Sequence, residues 1–167
     1  ALNYLRDDLS DLNMEIYQGG GVVNKESSDI TAGSAVAVQL VRGDVNISSI
    51  GTVTYVENNK IIAFGHPFTN RGRVNYLLSK AYINGIIPST VEPFKLGAPF
   101  DNLIGTVNVD RGAGIAAELD SYPEIITLQL TVTDSNREIS KEFSVQIVKD
   151  EKLVVSLAAN TALQAID

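Results

Sequence analysis

The chain of 167 residues contains no cysteine, no tryptophan and only one histidine, which is His66. The lack of cysteine excludes disulfides, thiol catalysis and thiolate metal sites. Because the chain also has only one imidazole, we expect neither a metal site nor a cofactor. The triplet Gly19-Gly20-Gly21 has no strand before it and no lysine after it, so it does not predict a phosphate-binding loop. Any imidazole chemistry in this chain must use His66.

Basic residues are also scarce, since 13 Lys and Arg stand against 20 Asp and Glu, for a net charge of −7. A nucleic-acid-binding domain needs a basic surface, so we expect no nucleic-acid partner. No apolar run approaches the roughly 20 residues of a transmembrane helix, so we expect no membrane-spanning segment. Hydrophobic residues make up 44% and charged residues 20% of the chain, which is typical of a globular domain.

Helical periodicity is confined to the two ends of the chain. Apolar residues recur at steps of three and four over 4–17, and again over 154–166. The glycine triplet ends the first helix and forms a hinge. Because the first residue is Ala1, we expect a processed protein or a piece of a longer one. The predicted divisions are an N-terminal helix with its hinge (1–21), a β domain (22–150) and a C-terminal helix (151–167).

Between these helices the hydrophobic pattern changes to a period of two, which is typical of strands. Prolines interrupt residues 69–102, so we expect edge strands or loops in that region. Several short strands with glycine-rich turns predict a mainly β fold, either an antiparallel barrel or a sandwich. The predicted strands are 35–40, 45–57, 60–64, 103–109, 125–133 and 139–148.

His66 follows a predicted strand and lies between Gly65 and Pro67. Glycine lets the backbone turn sharply, and proline fixes the next φ and stiffens the loop. A histidine held in this way is suited to be a general base. The alternative is a structural histidine that caps a turn or fills a half-buried space.

Asp110 ends another predicted strand and is the candidate acid. An aspartate in such a place can orient a histidine and stabilise its imidazolium form. It can equally pair with its neighbour Arg111 or accept hydrogen bonds within its own turn.

Three segments, in this order, resemble the SpoIVB-type serine peptidase domain, a family named after the bacterial stage IV sporulation protein B. The first is the hairpin from Gly51-Thr52-Val53-Thr54 to Gly65-His66-Pro67-Phe68. The second is Ile104-Gly105-Thr106-Val107-Asn108, followed by Gly114-Ile115. The third is the paired-strand segment 123–148.

This resemblance covers most of the chain, from about Gly33 to about Val148. It implies a trypsin-like antiparallel β-barrel, as a half-barrel or a barrel with an extension, with short helices at both ends. It also implies that His66 is the catalytic base of a serine endopeptidase that acts on a protein or peptide. The Gly-His-Pro-Phe sequence is typical of the branch outside sporulation, found in envelope or secreted proteins, which implies an extracytoplasmic location.

The sequence departs from the family at the nucleophile, because it has no Gly-x-Ser-Gly-Ser-Pro-like segment. Two explanations are open. The serine lies in the remainder of a parent chain, or the domain has lost peptidase activity. We expect the chain by itself to be inactive in either case. The second explanation corresponds to a non-catalytic peptide-binding or assembly domain of a bacterial envelope protein, which would bind an extended peptide at a strand edge.

Overall fold

The structure is a computed structural model that describes residues 29–88 and 94–166. These residues form eight strands and one helix. The elements in chain order are β1 (Ala35–Gly43), β2 (Ile47–Glu57), β3 (Lys60–Ala63), β4 (Gly72–Ile87), β5 (Phe94–Arg111), β6 (Gly114–Leu119), β7 (Ile125–Asp134), β8 (Ile139–Val148) and α1 (Val154–Ile166). The prediction of a mainly β chain is confirmed.

All eight strands belong to one antiparallel sheet with the order β2-β3-β6-β5-β4-β1-β8-β7. The strand β1 also pairs with β2, so the strands β1 to β6 form a partial ring. At its end, β1 stays paired with β2 on one edge and exchanges its neighbour β4 for β8 on the other, where Val41 lies opposite Ile147. The strands β7 and β8 pair along their whole length and form a ribbon attached to the ring.

The core is built around β1, whose residues Val36–Val41 are all buried. A strand covered on one face alone would alternate between buried and exposed residues, so β1 is covered on both faces. The large side chains Tyr76, Leu77 and Leu78 of β4 are fully buried beside it. Each buried aliphatic or aromatic side chain contributes about 2 kcal/mol, and this region therefore supplies much of the stability of the fold.

The predicted C-terminal helix is present as α1, which packs on β7 and β8. Its Leu157 is fully buried. The predicted N-terminal helix (4–17) and the glycine hinge lie outside the described residues. In the part of the chain that the structure describes, no helix has the length and apolar character needed to cross a bilayer.

The prediction of edge strands or loops over 69–102 is confirmed for 81–87 and 94–102, which pair only with each other among the described residues, with Pro99 opposite Ala81. It was wrong for 77–80, which lie inside the sheet between β1 and β5. The ladder accommodates Pro99 because the register between β4 and β5 shifts at several points. One of these shifts lies before Ala81 and another lies after it. The strand β6 was not among the predicted strands.

Candidate active site

His66 lies in the loop that connects β3 to β4, which we call the His66 loop (residues 64–71). The loop begins with two consecutive residues in the left-handed region, Phe64 at φ 76° and Gly65 at φ 75°. A third, Asn70, has φ 54°. Positive φ is costly for a phenylalanine, and such conformations persist only where the surroundings impose them. The contacts of this loop show what imposes them.

Phe64 is held by the hairpin partner of its own strand. Its backbone N–H donates to the carbonyl oxygen of Thr52 at 2.9 Å. Its ring covers Gly51 so closely that a Cβ atom at position 51 would overlap the ring. The Gly51-Thr52 pair of the sequence motif therefore has a physical role, because it provides both the space and the acceptor that fix Phe64.

Aromatic side chains continue this packing through the loop. The ring of Phe64 lies 5.6 Å from that of His66 and 6.2 Å from that of Phe68. Phe68 in turn meets Tyr76 edge to face at 6.0 Å. Aromatic pairs in such arrangements stabilise one another beyond their burial alone. The loop is thus packed onto the core at its first and fifth residues.

Asp110, near the end of β5, is fully buried and holds the second half of the loop. Its Oδ1 accepts a hydrogen bond from the backbone N–H of Phe68 at 2.8 Å. Its Oδ2 accepts from the backbone N–H groups of Thr69 and Asn70 and from the Thr69 hydroxyl. A carboxylate that receives four donors has its charge compensated without a basic partner. Asp110 therefore fixes three consecutive residues of the His66 loop.

A buried hydroxyl chain extends from this carboxylate to the core. The Thr69 hydroxyl donates its proton to Asp110, so it can only accept from the Tyr76 phenol, which lies 3.0 Å away. Burial raises the pKa of Tyr76, and the hydrogen bond with Thr69 opposes part of that rise. The phenol therefore keeps its proton at neutral pH, as its role as donor requires.

The imidazole of His66 is exposed, while the loop below it is packed. Its Nδ1 lies 2.8 Å from the carbonyl oxygen of Pro67. Because a carbonyl oxygen can only accept, Nδ1 is the nitrogen that bears the proton in the neutral ring. Nε2 is then left with its lone pair as an acceptor. This is the tautomer that a general base needs.

The two candidate residues, His66 and Asp110, each hydrogen-bond to the backbone of the His66 loop and not to each other. Both oxygens of Asp110 face residues 68–70, and Nδ1 of His66 faces Pro67. Over the described ranges, no hydrogen bond links Asp110 to the imidazole. The carboxylate accepts its hydrogen bonds from the His66 loop, about 40 residues earlier in the chain, and not from its own turn. Its action as a direct orienting acid stays a prediction.

Sequence reasoning missed a link between this loop and the C-terminal helix. Arg71 forms an ion pair with Asp150 at 3.1 Å, and each side chain is less than one fifth exposed. Asp150 Oδ1 also accepts from the backbone N–H groups of Lys152 and Leu153, just before α1. No local pattern indicates this pair, because the residues are far apart in the chain.

No serine hydroxyl hydrogen-bonds to the imidazole within residues 29–88 and 94–166. The same residues contain no group of three or more histidine and acidic side chains that is able to hold a metal ion. Among the described residues, the imidazole of His66 therefore has no nucleophile hydrogen-bonded to it.

Comparison of the chain with protein-family models, with curated proteins and with solved structures gives no match. The relation to the SpoIVB-type peptidases therefore stays a prediction from the sequence motifs.

The contact between Gly51 and Phe64 gives a direct test of this geometry. A Gly51→Ala change is expected to lower the free energy of unfolding by about 1–3 kcal/mol, because the ring of Phe64 must move. Urea unfolding measures this loss. Gly85→Ala is the matched control, since a Cβ atom there meets nothing within 4 Å. Equal losses in the two variants would contradict the proposed role of the contact.

Proposed function

We propose that this chain is a domain of a SpoIVB-type serine endopeptidase in which His66 is the general base. The observation that supports it is the state of the imidazole. The ring is exposed, and the loop that carries it is held by contacts with the core. Nδ1 is hydrogen-bonded to the carbonyl oxygen of Pro67, and Nε2 is free to accept a proton. A histidine that fills a half-buried space would be covered by its neighbours, whereas this ring is exposed.

The proposed chemistry follows from this arrangement. Nε2 takes the proton of a serine hydroxyl as the serine oxygen attacks the scissile carbonyl carbon. The same nitrogen then returns the proton to the leaving amine. During the step the ring is an imidazolium, and the carbonyl dipole of Pro67 stabilises the proton on Nδ1. The fixed loop keeps the ring in place, so that little reorganisation is needed.

The proposal includes a fold relation. The pairings run from β1 through β2, β3, β6, β5 and β4 back to β1, which is the connectivity expected of a six-stranded antiparallel barrel. We propose that these strands are a trypsin-like barrel and that the ribbon of β7 and β8 is its extension. The His66 loop then opens at one end of the barrel, where a neighbouring part of the parent chain would complete a cleft.

The nucleophile and the setting are part of the same proposal. The serine comes from a part of the parent protein outside the described residues. The substrate is a protein or peptide, and the location is extracytoplasmic, as the Gly-His-Pro-Phe branch implies.

A second candidate function is a non-catalytic binding or assembly domain. It is favoured by the lack, within the described residues, of a serine hydroxyl bonded to His66. Under this hypothesis the packed His66 loop is a structural support, and interactions with other proteins use the edges of the sheet.

A fluorophosphonate probe on the full-length parent protein separates the two functions. If the first is correct, the probe labels one serine, mass spectrometry places it outside residues 29–88 and 94–166, and His66→Ala abolishes the labelling. Arg137→Ala, in the exposed turn between β7 and β8, is the control and keeps the labelling. The chain of 167 residues by itself is expected to stay unlabelled. If the folded parent protein is not labelled, the first function is excluded and the second is the correct one.

A further inference from the structure

One edge of the strand β7 has no partner strand among residues 29–88 and 94–166. Within the described residues it pairs only with β8, and it is the last strand in the sheet order. Its side chains are exposed or half-buried along the whole strand, as in Ile125 and Ile126, which are 36% and 37% exposed. The backbone groups on this edge are therefore available to another strand.

This edge lacks the features that normally prevent pairing. The nine residues from Ile125 to Thr133 include no charged residue, no proline and no glycine. Edge strands of monomeric proteins are usually short, charged or interrupted by proline or a bulge. The strand β7 is ten residues long and pairs with β8 without a register shift. An uncharged, regular edge of this length is suited to pair with a further strand.

The sequence of β7 is complementary to itself in an antiparallel arrangement. If Gln129 lies on a two-fold axis, three of the four pairs of facing residues match in character, and in the fourth an isoleucine faces a threonine. The pairs are Ile126 with Val132 and Leu128 with Leu130 on one face, and Thr127 with Thr131 and Ile125 with Thr133 on the other. In an antiparallel pair, directly opposite residues project to the same face. The apolar stripe of one copy therefore continues the apolar stripe of the other.

We propose that β7 pairs with β7 of a second copy of this chain, across a two-fold axis at Gln129. The contact is isologous, so one surface serves both copies and the assembly closes as a dimer. The partner strand covers the half-buried side chains of Leu128, Leu130 and Val132. This inference does not depend on the role of His66.

The charges at the ends of the strand are compatible with this pairing. Glu124 of one copy comes near Asp134 of the other, which by itself would repel. Lys149 lies 2.7 Å from Glu124, and this neighbour holds the pKa of Glu124 below its usual value. At each end of the interface, the Lys149 ammonium of one copy therefore lies beside the acidic pair.

A single cysteine tests the register, because the chain contains no other. In Gln129→Cys the two new thiols face each other on the axis, and mild oxidation is expected to give a disulfide-linked dimer. Ser144→Cys is the control, since Ser144 lies opposite Gln129 on β8 and is one strand further from the axis. That places the two control thiols about three strand spacings apart, beyond the reach of a disulfide. A dimer from Ser144→Cys and none from Gln129→Cys would overturn the proposal.

Sedimentation velocity tests the association itself. The unmodified chain is expected to form a dimer, and Gln129→Lys is expected to weaken it at least about tenfold, since two like charges then face each other. Ser144→Lys should leave the dimer unchanged. Circular dichroism checks that both variants are folded. A chain that stays monomeric at the highest attainable concentration would overturn the proposal. So would a dimer insensitive to Gln129→Lys, or a monomer that binds an extended peptide at β7.

Discussion

Replacing Asp110 by alanine is expected to lower the free energy of unfolding by about 4 kcal/mol. The carboxylate is fully buried and accepts hydrogen bonds from three backbone N–H groups and one hydroxyl. Its removal leaves these donors without an acceptor in a place with little access to water, and each unsatisfied group is costly. Urea unfolding measures the loss, and hydrogen exchange should show the His66 loop opening before the rest of the sheet.

Two further variants define the cause of this effect. Asp110→Asn keeps the shape but replaces one acceptor by an NH₂ group that faces donors, so we expect about half of the loss or more. Asp101→Asn, on the same strand β5, removes an acid that is 60% exposed and pairs with Arg42 at 2.9 Å. Its effect should stay below about 1 kcal/mol. If Asp110→Ala cost no more than Asp101→Asn, the carboxylate would not be what holds the loop.

Replacing His66 by alanine in the full-length parent protein is expected to lower kcat/KM for a peptide substrate by about 10³-fold or more. The loss should fall on kcat, because in the proposed function Nε2 accepts the serine proton in the transition state and contributes little to substrate binding. Steady-state kinetics with a quenched fluorescent peptide separates the two constants. The stability of the variant should be close to that of the parent, since the ring is exposed.

Pro67→Ala serves as the matched comparison for this experiment. Its carbonyl oxygen is retained, so Nδ1 keeps its acceptor while the loop gains freedom at one φ angle. We expect a decrease in kcat/KM of less than about tenfold. A His66→Ala protein that retains most of its activity would remove His66 as the base, and the domain would then fit the assembly function better.

The sequence predicted the elements whose signals are local. The hairpin of β2 and β3 follows from alternating residues on both sides of Asn58-Asn59, and both asparagines have the positive φ that such a turn needs. The hairpin of β7 and β8 and the helix α1 were also predicted, from the spacing of their hydrophobic residues. His66 was found because it is the single histidine and is flanked by glycine and proline.

Other features depend on contacts between distant parts of the chain. Pro99 indicated an interruption in β5, but register shifts against β4 let the long ladder continue past it. The environment of Asp110 was not predictable, because its donors lie about 40 residues earlier. The pair of Arg71 and Asp150 has no local signal either. Burial of such polar groups is decided by the tertiary structure, and hydrophobic periodicity does not report it.

The position of β1 has a consequence for the way this chain folds during synthesis. The strand β2 follows β1 directly, but the partner on β8 is made about 100 residues later, as in the bond between Asp44 and Ser144. A ribosome that adds about 5–20 residues per second needs roughly 5–20 s to reach it. During that interval the end of β1 emerges without its partner and is open to wrong associations. We therefore expect the nascent chain to depend on chaperones until β8 has been made, and closure onto β1 to be the slow step of folding.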